Sequence, residues 1–203
     1  MKMKIFIVLS APGHTAISPL NPEVREILME KGLPIPVDNL EFETGYREVL
    51  GEHVKSAWEM YGFIYPQLER RLHELSARGH EVKVFFISSR YGLIEGNLPV
   101  VPHIAPSGWG KRKVSRGLAD KLMVFEELLS KVHREKPDIV VLALSPGDLP
   151  LLHDPPRGRD LGKLTSFTKM ALAAPPSVVK ELVSVKGLEF VEVKGSKLSL
   201  IHI

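Results

Sequence analysis

Cysteine is absent from this sequence, which excludes disulfides, thiolate nucleophiles and cysteine-based zinc sites together. A protein without disulfides suits a reducing compartment, so we expect a cytoplasmic location. The missing cysteine, the Lys, Arg and Glu content and the 16 prolines would also suit a thermophilic source.

Long apolar runs are also missing, because no run approaches the roughly 20 residues of a membrane helix. The amino-terminal sequence MKMKIFIVLSAPG is too short for a signal peptide, and residues 5–9 are predicted to form a core strand. We therefore expect no contact with membranes. The composition, 44% hydrophobic and 25% charged, is typical of a globular protein, and we predict one domain over residues 1–203.

Several motifs of well-understood chemistry are absent as well. Neither GxGxxG nor GxxxxGKS occurs, so neither dinucleotide binding nor a P-loop is predicted. The histidines show no HExxH or paired spacing, and no GxSxG elbow exists, so metal binding and serine hydrolysis lack support. We expect no metal and no cofactor.

Three apolar runs are typical of strands buried in a parallel sheet: Lys4–Ser10, Val82–Ile87 and Asp138–Ser145. Amphipathic patterns between them predict helices at 22–31, two within 46–78, and one long helix from Val114 to about Arg134. This alternation predicts an α/β fold, a three-layer sandwich with a mainly parallel central sheet flanked by helices.

The sequence after His153 gives a weaker pattern. Short helices are predicted around 166–173 and 176–185, followed by an antiparallel β-hairpin over 188–203 with Gly195 and Ser196 at its turn. An exposed hairpin edge can pair with a second copy, so a homodimer is a further expectation.

Polar residues follow each buried run, at the strand ends that face the crevice in an open α/β sheet. We predict a ligand site from Ser10, Gly13, His14, Ser88, Ser89, Arg90, Tyr91, Gly92, His103 and Ser145. Arg90 can pair with a phosphate or carboxylate, and Tyr91 can stack on a base. The alternative is a tight strand exit, with Gly92 in a left-handed turn and Tyr91 packed on the core.

Two carboxylates, Glu95 and Asp148, are the candidate general acid-base residues near these exits. The alternatives are a turn residue before Gly96 for Glu95 and a helix cap for Asp148.

A basic segment from Lys111 to Lys121 holds five basic residues and one acid, a local charge of +4 against +3 for the whole chain. We predict that Lys111, Arg112, Lys113 and Arg116 contact the phosphates of a nucleic acid. A solvated helix face is the alternative for such a charge run.

The sequence FFISSRYGLIEGNLPVVPH, which ends at His103, resembles the ISAKYGLI…PYD signature of the YaaA-like superfamily of uncharacterised and base-modification-associated proteins. AWEMYGF around Tyr61 is similar to that family's upstream LYxGxxF element, and DIVVLALSPGDLPLL is similar to its later strand and loop. The resemblance covers about Ala57 to Leu152. It implies nucleic acid binding and a link to nucleobase modification, and related domains accompany enzymes of the tRNA-guanine transglycosylase kind.

The resemblance implies functional roles for a set of positions in this chain. They are Tyr61, Ser88, Arg90, Tyr91, Gly92, Leu93, Pro102 and His103. Many members have a CSxxK-like first loop, whereas this chain has LSAPGHT; Arg90 replaces the usual lysine, and His103 the usual tyrosine. A covalent mechanism that needs a lysine at these positions therefore lacks its residue here.

Two classes of function remain open from the sequence. In the first, the protein binds tRNA, DNA or a nucleotide-like small molecule, with a link to nucleobase modification. In the second, it is a small-molecule enzyme acting on an N-glycosidic bond through Glu95 or Asp148. An interaction scaffold without catalysis is a third possibility.

Overall fold

Residues 2–192 are described by a computed structural model, in which six strands form the main sheet and two short strands form a separate ribbon. The strands are β1 Lys4–Ser10, β2 Lys55–Ser56, β3 Glu81–Ser88, β4 Gly92–Glu95, β5 Pro99–Val100, β6 Ile139–Ala143, β7 Lys169–Ala174 and β8 Leu188–Glu192. The main sheet has the order β4-β3-β1-β6-β7-β8, and β2 pairs with β5.

The main sheet is parallel except for β4, which pairs antiparallel with β3 at one border. The chain passes from β1 to β3 on one side of β1 and then crosses to β6 on the other side. The five parallel strands therefore follow the doubly wound order 2-1-3-4-5. In such sheets the ligand crevice lies where the order reverses, which here is between the carboxyl ends of β1 and β6.

Helices cover both faces of this sheet, so the predicted α/β sandwich is confirmed. They are α1 Pro22–Glu30, α2 Glu43–Leu50, α3 Ala57–Tyr61, α4 Pro66–Ala77, α5 Arg112–Leu122, α6 Val124–Glu135, α7 Leu149–Leu152, α8 Leu161–Leu164 and α9 Pro176–Leu182. None of the helices in the described part of the chain has the length and apolar character that a membrane span requires.

Alternation along the strands divides the core between the two faces of the sheet. On one face, Phe6 and Val8 of β1 join a cluster with α5, α6 and the later helices. On the other face, Ile5, Ile7 and Leu9 join a cluster with α3 and α4. A third cluster holds α1 against α2 and includes Val101, which anchors this helix pair to the loop after β5.

The predicted long helix from Val114 to Arg134 is wrong, because the chain breaks at Met123 into α5 and α6. Met123 has a left-handed conformation, with φ 48°. No glycine or proline marks the break, and apolar residues continue at helical spacing through it, so the pattern could not reveal it.

The helix predicted around 166–173 is also wrong, since residues 169–174 form β7. Met, Ala and Leu favour a helix locally, but this segment pairs with strands on both edges, and tertiary pairing overrides propensity. The first part of the predicted hairpin is β8, which is parallel to β7. The rest of the hairpin, with Gly195 and Ser196, lies outside the described residues.

Gly92 has φ 68°, which confirms the left-handed turn between β3 and β4. A Cβ at this position would collide with the carbonyl oxygen of Leu122, the last residue of α5. The absence of a side chain therefore permits both the turn and the close approach of α5.

We expect Gly92→Ala to lower the free energy of unfolding by clearly more than the ~1 kcal/mol of a strained left-handed residue, because the backbone of Leu122 must also move. Gly79→Ala is the matched control, since Gly79 has φ 82° with no heavy atom within 4 Å of its added Cβ. Urea unfolding of both variants measures the difference. Equal losses would contradict a packing role for Gly92.

Candidate functional site

The exits of β1 and β6 meet at the reversal of the strand order. The backbone N–H of Ser145 donates to Oγ of Ser10 at 2.8 Å, and Oγ of Ser145 donates to Oδ2 of Asp148 at 2.9 Å. The hydroxyl of Tyr65 donates to the carbonyl oxygen of Ser10 at 2.6 Å. Predicted residues from two strand exits, Ser10 with Ser145 and Asp148, are thus brought together at the position where a doubly wound sheet binds its ligand.

Asp148 is the most unusual group at this point. It is 1% exposed, and its Oδ1 has no hydrogen-bond partner among the described residues. Burial raises the pKa of its carboxyl to about 6, although the hydroxyls of Ser10 and Ser145 act in the opposite direction. The carboxyl can therefore gain or lose a proton near neutral pH, as a general acid or base must.

A second polar group lies at the exit of β3. The hydroxyl of Tyr61 is 3.0 Å from Oγ of Ser88 and 3.1 Å from Nε2 of His103. Oγ of Ser88 accepts hydrogen bonds from the N–H groups of Arg90 and Tyr91 at 3.2 and 3.3 Å. Three positions singled out by the resemblance, Tyr61, Ser88 and His103, are thus connected by a buried series of hydrogen bonds.

The carbonyl oxygen of Val101 decides which group donates and which accepts in this series of hydrogen bonds. Nδ1 of His103 lies 2.9 Å from the carbonyl oxygen of Val101, which can only accept, so Nδ1 carries the proton. Nε2 then accepts from Tyr61, and the hydroxyl of Ser88 donates to Tyr61. Burial lowers the pKa of His103 to about 4, so its imidazole is neutral at physiological pH.

Arg90 is buried, and its side chain is 0% exposed. Its Nη2 donates to Oε2 of Glu43 at 2.7 Å, and its Nη1 donates to Oδ1 of Asn39 at 3.0 Å. The guanidinium also lies 5.4 and 5.5 Å from the ring centres of Tyr46 and Tyr91. It therefore ties the segment before α2 to the β3 exit, instead of facing the crevice between β1 and β6.

Tyr91 takes part in the same contacts. Its hydroxyl donates to Oε1 of Glu43 at 3.0 Å and accepts from the N–H of Val101 at 3.2 Å. Burial raises the pKa of Tyr91 to about 12. Burial tends to raise the pKa of Glu43, but hydrogen bonds from Arg90 and Arg47 hold it below its usual value.

The remaining candidates lie in different surroundings. Ser89 is buried at the β3 exit. Gly13 and His14 are exposed, and the His14 ring stacks on Phe63 with 5.7 Å between ring centres. Glu95 pairs with Phe85, three residues before Ser88 in β3, and lines a cavity of about 610 Å³ beside α4. The two predicted acid-base carboxylates are therefore not brought together.

Most of the basic segment is neutralised by residues from other parts of the chain. Arg112 pairs with Glu181 at 2.6 Å, Arg116 with Asp154 at 3.2 Å, and Lys121 with Asp38 at 3.1 Å. Lys111 and Lys113 are exposed and form no ion pair with any residue in the range 2–192. The local surplus of charge is thus much smaller in the folded protein than in the sequence.

Sequence reasoning missed Glu43, Asn39 and Tyr46, the partners of Arg90. They precede it by 44 to 51 residues, in a stretch whose polar residues look like those of any solvated helix. No local signal connected them to the β3 exit. Comparison with known protein families, with curated proteins and with solved structures finds no match to this chain.

We expect the free energy of unfolding of Asp148→Asn, relative to that of the wild type, to be higher at pH 7.5 than at pH 5. The folded-state pKa of about 6 lies above the ordinary 3.8, so the wild type loses stability as pH rises from about 4 to above 6, and roughly 1–1.5 kcal/mol of that loss falls between pH 5 and pH 7.5. The variant lacks that loss. Urea unfolding at both pH values gives the difference, and an unchanged pH dependence would show that Asp148 is ionised normally.

Arg90→Ala should lower the free energy of unfolding by roughly 3–5 kcal/mol, because Oε2 of Glu43 and Oδ1 of Asn39 both lose their buried donor. Arg47→Ala is the control: Arg47 pairs with the same carboxylate at 2.9 Å, but its side chain is 43% exposed, so a loss of about 0–1 kcal/mol is expected. Chemical denaturation ranks the two. A mild effect of Arg90→Ala would return this arginine to the candidates for ligand binding.

Proposed function

We propose that this protein binds a small nucleobase-like ligand at the carboxyl ends of β1 and β6, where Asp148 exchanges a proton with it. The observation that carries the proposal is the buried carboxyl of Asp148, with an unpartnered oxygen and a pKa of about 6. Near neutral pH this carboxyl group can either donate a hydrogen bond, when it is protonated, or accept one, when it is ionised. The edge of a nucleobase carries adjacent N–H donors and ring-nitrogen or carbonyl acceptors that can pair with both forms.

The loop before Asp148 is packed closely against the loop before α5. A Cβ on Gly147 would collide with the backbone of Gly110, so the loop before α5 lies directly on the exit loop of β6. Nε of Arg112 donates to the carbonyl oxygen of Pro146 at 3.1 Å and reinforces this contact. Because Asp148 is 1% exposed, a ligand can reach its carboxyl only if neighbouring backbone such as this loop moves.

Nucleic acid binding through the basic segment has less support. Of the four predicted phosphate contacts, Arg112 and Arg116 pair with Glu181 and Asp154. A phosphate backbone would have to compete with these carboxylates for the arginines. Few basic side chains would then remain to displace the counterions of the nucleic acid. These ion pairs favour a small ligand over a polynucleotide.

An enzyme acting on an N-glycosidic bond is the second candidate function. The pKa of Asp148 favours it, because protonating a departing base needs an acid that still holds its proton near neutral pH. In this reaction the protonated carboxyl of Asp148 would donate to the base as the glycosidic bond breaks. Water would supply the hydroxyl group that the sugar gains, and its remaining proton would return to the carboxylate of Asp148.

The test is calorimetric titration with adenine, guanine, uracil and their nucleosides at pH 5.5 and 7.5, in buffers that differ in ionisation enthalpy. We expect a base to bind with net proton exchange, and Asp148→Asn to weaken that binding at least tenfold and abolish the exchange. Asp38→Asn is the control, since that carboxylate lies in an exposed ion pair. Chromatography of the nucleoside mixtures detects any released base.

Binding of none of these compounds by the wild type would refute the proposal. Equal affinity in the wild type and in Asp148→Asn would place the ligand elsewhere. Binding without release of base would leave the protein a binding protein and exclude the glycosidic reaction for the nucleosides tested.

A further inference from the structure

Arg159 is a buried cation outside the site at the β1 and β6 exits. It lies in the loop between α7 and α8, where Asp154 and Arg159 form an antiparallel bridge. The side chain is 3% exposed, and Nη1 donates to Oδ1 of Asp120 on α5 at 2.8 Å. Asp120 is itself 82% exposed, so water screens most of this attraction.

The other donors of Arg159 are left without acceptors. Nε and Nη2 are both buried, and neither has a hydrogen-bond partner within residues 2–192. Buried donors of a charged group without acceptors are costly, and native proteins seldom keep them without a reason. Asp120 accepts a hydrogen bond from Nη1 alone and so satisfies only one side of the guanidinium.

The geometry of the free side is specific. Nε and Nη2 lie on the same edge of the planar guanidinium, and their N–H groups point in parallel. This edge matches the two oxygens of one carboxylate or phosphoryl group, which bind arginine side-on through two hydrogen bonds. A single oxyanion would therefore satisfy both donors at once.

The charges around Arg159 favour an anion. Arg116 and Arg157 both approach Oδ2 of Asp154, at 3.2 and 3.9 Å. Together with Arg159 and Asp120, the group contains three arginines and two aspartates, which leaves one positive charge. Asp160, the next residue, brings this count to zero, and Lys163, whose Nζ donates to the carbonyl oxygen of Gly158 at 2.9 Å, restores one positive charge.

We propose that Arg159 is the centre of an oxyanion site, which binds the carboxylate or phosphoryl group of a small ligand through Nε and Nη2. The preceding residues 155–158 are all exposed, so displacing this loop to admit a ligand costs little buried packing, and its hydrogen bonds, such as that from Nζ of Lys163 to Gly158, are what must break. The site does not depend on the function proposed for Asp148, and either can fail alone.

The test measures the melting temperature in sodium phosphate, sodium acetate and sodium chloride at matched ionic strength and neutral pH. If an anion binds only the folded protein and is present at about ten times its dissociation constant, it should raise the Tm by about 3–6 °C above the value in chloride. A rise in phosphate alone identifies a phosphoryl site, and a rise in acetate alone a carboxylate site. The same Tm in all three salts would overturn the proposal.

Three variants test whether the rise in Tm comes from Nε and Nη2 of Arg159. Arg159→Met should abolish the rise while keeping the Tm in chloride at or above the wild-type value, because it removes a buried cation with unsatisfied donors. Arg159→Lys keeps the charge without the fork and should lose most of the rise. Arg70→Met, a matched loss of charge at a 76% exposed side chain on α4, should retain it.

A purely structural role for Arg159 predicts a different pattern. Arg159→Met and Asp120→Asn would then both lower the Tm in chloride by similar amounts, and this result would overturn the proposal. A measurement on the wild type adds an independent check, since the Nε–H resonance of Arg159 should shift on addition of phosphate or acetate. An unshifted resonance would also contradict the site.

Discussion

The parallel pairing of β1 along both of its edges is the constraint on which the rest of the structure depends. Seven residues of β1 are in register with β3, and five are in register with β6. Residues 5–10 are also buried on both faces. Because β1 is fixed on four sides, its carboxyl end holds Ser10 in place, and Ser10 in turn positions Ser145.

Buried ionisable groups are used in two different ways in this protein. The guanidinium of Arg90 is held by Glu43, Asn39 and two aromatic rings, as expected of a group that stabilises the fold. Asp148 and Arg159 are equally buried, yet each keeps atoms without a partner in the described part of the chain. Nε of Arg90 also lacks a partner, but both of its terminal nitrogens are bound, whereas Asp148 keeps an open carboxylate oxygen and Arg159 an open edge of two donors. Since buried polar atoms are almost always satisfied, the open oxygen and the open edge distinguish two candidate functional charges from a structural one.

The basic segment illustrates how a folded chain redistributes charge. Its surplus of +4 is apparent over eleven consecutive residues. Acidic residues that are distant in sequence, Asp38, Asp154 and Glu181, lie beside it after folding. A linear charge count therefore overstates the attraction of this surface for a polyanion.

The sequence by itself determined the central strands, the polar exits that follow them and the left-handed turn at Gly92. These features follow from local chemistry: unbroken apolar runs bury both faces of a strand, and a turn with positive φ favours glycine. Asp148 was identified on the same basis, as a carboxylate just beyond a strand end.

Tertiary structure alone decided where the side chains of the exits point and which groups they meet. Arg90 turns inward because Glu43 and Asn39 lie there, residues 169–174 form a strand because both edges are paired, and Glu95 lies apart from Asp148 because β4 runs back along β3. The unpartnered atoms of Asp148 and Arg159 are likewise invisible in the sequence. Each depends on contacts between residues distant along the chain, and burial and hydrogen-bond satisfaction exist only once those contacts have formed.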